Sequence, residues 1–100
     1  MKQGQSITQL NEINEMGTFE EYQERARQFA KEYGADVSEH IIDVMRSVMM
    51  TRDKVLIGGS FAQAVADNNL REAISRADGA CLANIKIIVQ ASYNAYLNEF

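Results

Sequence analysis

The chain has 100 residues, 46% of them apolar, no proline and a net charge of −4. That apolar content can build one core without disulfides or metal and excludes whole-chain disorder. The acidic balance, with no Lys/Arg cluster, argues against a nucleic-acid reader that relies on counterion release.

The N-terminal Met1–Gln5 stretch is polar and lacks the apolar region of a secretory leader. The first helix is predicted to open at Ser6, where Ser6-Ile7-Thr8-Gln9 matches a capping box. Ile7, Leu10 and Ile13 give it a short stripe, and Gly17 is read as its terminating residue. A second capping box, Thr18-Phe19-Glu20-Glu21, starts the next helix at once. Phe19, Tyr22, Ala26, Phe29 and Tyr33 recur at helical spacing, which strand alternation cannot produce. Gly34 ends this segment.

The third helix is predicted from Asp36 or Ser38. Its apolar face holds Ile41, Ile42, Val44, Met45, Val48, Met49, Val55 and Leu56, and Gly58-Gly59 ends or kinks it. A fourth, short helix runs from Ser60 to about Ala66. The fifth starts near Asn69, with Glu72 three residues on, and extends to Leu97, with a possible break at Gly79. Leu82, Ile85, Val89 and Tyr96 form one stripe on it, while Cys81, Ile87, Ile88, Ala91 and Ala95 spread the apolar surface around most of its girth. Such a helix must be surrounded. Its apolar run is broken by Asn84 and Lys86 and is too short to span a bilayer.

Candidate chemistry is sparse. His40, the single histidine, precedes Asp43 by three residues, a spacing that could move a proton but lacks a nucleophile. Cys81, the single cysteine, reads as a small core residue and suits a reducing compartment. Glu39 and Asp43 lack the second ligand pair that a metal site in a bundle needs, so no metal or other cofactor is expected. Met45, Met49 and Met50 could line an adaptable binding surface instead of filling the core. Arg52 within the same face needs a partner, which a second chain could supply. Gly58, Gly59 and Ser60 could present free backbone N–H groups to an anion, although the rest of a phosphate-loop motif is missing.

Together these features predict an all-α protein: one domain over residues 1–100, a compact bundle of four to five helices with the C-terminal helix central. The expected function is non-enzymatic. It is that of a small cytoplasmic accessory or regulatory protein binding another protein, and itself a homo-oligomer, through Met45, Met49, Met50, Arg52, Ile87 and Tyr96. Neither nucleic acid nor membrane is an expected partner. The alternative is a small-ligand or nucleotide-binding helical module that uses the Gly58-Gly59-Ser60 helix start.

Overall fold

The computed structural model describes the backbone of residues 6–94 and the side chains of residues 19–94. The side chains of Ile7, Leu10, Ile13 and Met16, and all of Tyr96 and Leu97, lie outside the described residues. What is described is all-α, six helices packed on one another.

Helix α1 spans Ser6–Tyr33 without interruption. The stop expected at Gly17 is therefore absent: a mid-helix glycine costs only about 1 kcal/mol, and no proline enforces a break. Tyr22, Ala26, Phe29 and Ala30 form its buried face, and Phe19 and Tyr33 flank that face, each partly exposed. Gly34 does end the helix, with a positive φ of 83°. Its N–H donates to the carbonyl of Lys31, and that of Ala35 donates to Ala30. This pair of bonds is the Schellman closure, which satisfies carbonyls left without an intrahelical partner.

Helix α2, Glu39–Arg52, starts from Ser38, whose side chain accepts the N–H of Ile41 at 3.3 Å. It buries Ile41, Ile42, Met45, Val48, Met49 and Met50. It ends well before Gly58. Lys54 takes a left-handed conformation, φ 63°, and repeats the closure: its N–H donates to Thr51 and that of Val55 to Met50. A left-handed non-glycine residue costs roughly 1–2 kcal/mol. Replacing Lys54→Gly removes that strain at some cost in unfolded-chain entropy. The net expected gain is about 1 kcal/mol, seen as a rise of ~4–8 °C in Tm. An unchanged or lower Tm would show that the strain at Lys54 is no larger than the entropy cost of the glycine.

Helix α3, Ser60–Ala66, buries Ala62, Ala64 and Val65 and packs on α2. The approach is close at Gly58, where a Cβ would lie 2.6 Å from Ser47 Oγ and 2.9 Å from Ala62 Cβ. Asn68, left-handed at φ 60°, closes α3 in the same way as Gly34 and Lys54 close their helices.

The long fifth helix expected from Asn69 to Leu97 is three shorter ones: α4 (Leu70–Arg76), α5 (Gly79–Ala83) and α6 (Ile85–Asn94). Asn69 caps α4 as its sequence implies, accepting the N–H of Glu72. The break falls at Ala77 and Asp78, both extended, rather than at Gly79. Asp78 makes it, because its carboxylate accepts the N–H of Cys81 at 2.7 Å and restarts the helix as an N-cap. Asn84 separates α5 from α6.

Helix α6 sits inside the bundle, against α1, α2, α3 and α5, and shares the centre with α2. Ile87, Ile88 and Ala91 are buried there by the chain's own helices. The apolar surplus expected on this helix shrinks accordingly. Tyr93 stays exposed, Val89 is half-buried, and Leu82 is exposed on α5.

Candidate functional site

The methionines are interior. Met45 and Met49 are 0% exposed and Met50 is 3% exposed, so they fill the core and form no binding surface in the folded chain. Ile87 is covered as well, and Tyr96 lies outside the described residues. A partner surface made of the three methionines and Ile87 is not available, because α1 and α6 both pack onto α2.

Arg52 finds its partners within the chain. Its guanidinium donates to Asp53 from Nε at 2.7 Å and from a second nitrogen at 2.8 Å. A third nitrogen reaches the backbone carbonyls of Ala91 (3.3 Å) and Ser92 (3.1 Å) in the last turn of α6. A cation there complements the negative end of the helix dipole. Asp53 also accepts the Tyr22 hydroxyl at 2.6 Å, so one carboxylate ties α1 to the end of α2. Arg52 holds the Asp53 carboxyl below the usual carboxylate range, against the opposing effect of partial burial, with help from Tyr22. Tyr22 is pushed above its ordinary value, first by burial and then by Asp53.

Gly58, Gly59 and Ser60 do begin a helix, but their donors are not all open to an anion. The Gly58 N–H donates to Thr51 Oγ1 at 3.0 Å, and its carbonyl accepts from Gln63. Close packing on α2 is what position 58 requires of glycine.

Beside Arg52 lies a shallow hollow of about 260 Å³. Its floor is Ala64, Val65 and Ala73, all buried, and its walls include Leu70, Val89 and Tyr93. Leu70 is 69% exposed and Tyr93 59%, and Ile74, one turn along α4 from Leu70, is 43% exposed. Small buried side chains under large exposed ones give a concave apolar surface with a ridge at its edge. Sequence periodicity could not reveal it, because the hollow is assembled from α3, α4 and α6.

A second site gathers the residues with chemistry. His40, in the first turn of α2, faces Asp78 rather than Asp43: Nε2 lies 3.2 Å from Asp78 Oδ2. Asp43 accepts instead from Gln23 of α1 at 2.7 Å, and Glu39 pairs with Arg27. Cys81 adjoins the His40–Asp78 pair, so that one nitrogen, one oxygen and the sulfur lie within 4.8 Å of one another. His40 and Asp78 are exposed, whereas Cys81 is buried. Burial, with the nearby carboxylate adding to it, pushes the Cys81 thiol up to about 11. The thiol is therefore protonated at neutral pH and is not an activated nucleophile. The Asp78 carboxyl is held low, first by the Cys81 N–H and also by His40. The only trace of this cluster in the sequence is Asp78, three residues before Cys81 at an N-cap spacing. Its link to His40 spans 38 residues.

The described residues thus define an all-α protein with an apolar hollow on one side and a His–Asp–Cys corner between α2 and α5. Compared with known proteins, the chain matches no family model, no curated protein and no solved structure.

Proposed function

We propose that the protein is a small non-enzymatic accessory or regulatory protein that works by protein–protein contact, and that it pairs with a second copy of itself across the α3–α4–α6 hollow. The observation that carries this reading is the exposure of Leu70 and Tyr93 around a floor of small buried side chains, with Ile74 exposed one turn along α4 from Leu70. Contiguous apolar surface of this kind marks interaction sites on soluble proteins. A ridge and a hollow side by side on one surface can be matched by the same surface turned through a twofold axis. Among the described residues no helix is long and apolar enough to cross a membrane. The buried free thiol of Cys81 suits a reducing cytoplasm.

Sedimentation velocity across the micromolar range tests the pairing. The wild-type chain is expected to dimerise with rising concentration. Leu70→Glu is expected to stay monomeric with unchanged helical circular dichroism, because a surface substitution costs the fold little. A wild-type chain that is monomeric throughout, or a Leu70→Glu variant that dimerises equally well, rejects the proposal.

A further inference from the structure

The His40–Asp78–Cys81 corner points to a function separate from the apolar hollow. We propose that it is a binding site for a single zinc ion, held by His40 Nε2, Asp78 Oδ2 and Cys81 Sγ, with water in the fourth position.

The donor set comes first. Imidazole, thiolate and carboxylate are the three side chains that bind Zn²⁺, a borderline-soft cation that takes nitrogen, sulfur and oxygen together. Calcium and magnesium call for oxygen alone. Asp78 and Cys81 meet through the cap of α5, whereas His40 comes from α2, 38 residues away from Asp78, so helical spacing within one element does not explain its arrival. His40 stands in α2, Asp78 caps α5 and Cys81 lies inside α5.

Spacing comes second. Bonds of about 2.0–2.1 Å to nitrogen and oxygen at tetrahedral angles set those two atoms about 3.3 Å apart. His40 Nε2 and Asp78 Oδ2 are 3.2 Å apart. With Zn–S near 2.3 Å, the sulfur belongs about 3.6 Å from each of them. One donor atom from each residue already falls within 4.8 Å of the others, so an edge to the sulfur needs to close by about 1.2 Å at most.

The third argument is the division of labour at Asp78. Its Oδ1 accepts the Cys81 N–H at 2.7 Å while Oδ2 faces His40. One oxygen thus fixes the carboxylate, while the other meets His40 Nε2 within hydrogen-bond distance, a contact that a cation entering between them would replace. Second contacts of this kind orient a ligand and tune its metal. His40 and Asp78 are exposed, so the ion has a path in from solvent and room for a bound water. Binding displaces the thiol proton, which makes the affinity rise with pH.

The test uses the full-length protein, freed of metal, kept reduced with a phosphine and titrated with Co²⁺ as a spectroscopic substitute. One equivalent is expected to produce a thiolate-to-cobalt band in the near ultraviolet and visible bands of tetrahedral intensity, all removed by Zn²⁺. Cys81→Ser is expected to abolish the thiolate band. Because that change touches a buried residue, two surface variants carry the decision. His40→Ala removes an exposed ligand, and Asp78→Asn keeps an oxygen for the helix cap. Each is expected to weaken Co²⁺ binding at least about tenfold while circular dichroism stays unchanged. A wild-type chain that shows no thiolate band overturns the proposal. So does a band that survives in both His40→Ala and Asp78→Asn with undiminished affinity.

Discussion

Arg52→Met is expected to lower the unfolding free energy by about 2–3 kcal/mol and to shift acid unfolding to higher pH. The methionine preserves much of the apolar stem and removes the charge together with its hydrogen bonds to Asp53, Ala91 and Ser92. The side chains of Arg52 and Asp53 are 12% and 28% exposed, so the loss is larger than for a surface pair. The pH effect follows from Asp53. Its carboxyl titrates lower in the folded chain than in the unfolded one, chiefly through Arg52. A depressed carboxyl stabilises the fold above its unfolded value, near 4, and that contribution disappears as pH falls through the folded value. Without Arg52, burial outweighs the remaining Tyr22 hydrogen bond and pushes the carboxyl upward, and acid unfolding begins sooner. Urea melts at several pH values between 3 and 7 measure both effects. Matching melts for Arg52→Met and wild type would mean that this network contributes nothing.

Met49→Glu is expected to unfold the chain. Met49 is 0% exposed, and the carboxylate would enter a core that holds no buried polar or charged residue among those described. An unpaired buried charge costs several kcal/mol, against a total stability of about 5–15 kcal/mol for a domain. Met49→Ala, which leaves only a cavity, is expected to cost about 2–5 kcal/mol and to stay folded. The contrast with Leu70→Glu separates interior from surface: one glutamate is expected to destroy the fold and the other to alter only the proposed association. Circular dichroism and thermal melts decide it. A folded Met49→Glu chain with wild-type stability would return the methionine face to the surface.

Local signals in the sequence found what local chemistry controls. The spacing of Tyr22, Ala26 and Phe29 marks the buried face of α1, Gly34 its end and Asn69 the cap of α4; of the two starts open to α2, Asp36 and Ser38, the cap is Ser38. A lysine does not advertise a left-handed turn, so the apolar pattern alone carries α2 on to Gly58, whereas the helix ends at Arg52. Asp78 was hidden within a long helical periodicity, where its capping bond to Cys81 outweighed propensity. The methionines were ambiguous for a different reason: a face at helical spacing reads alike whether another helix or solvent lies beyond it. Only the arrival of α1 and α6 on α2 settles that. The apolar hollow and the His40–Asp78 contact depend on which helices become neighbours, and no window of adjacent residues records this.

The three left-handed closures at Gly34, Lys54 and Asn68 also bear on how the molecule assembles. Each draws the chain back with bonds reaching no more than five residues, so α1 through α4 can come together by a succession of inexpensive short-range steps. The clasp of Arg52 on Ala91 and Ser92 joins positions 39 and 40 residues apart. It spans the largest loop among these contacts, so α6 is seated by a long-range contact, which costs more closure entropy than the local bonds that end α1, α2 and α3.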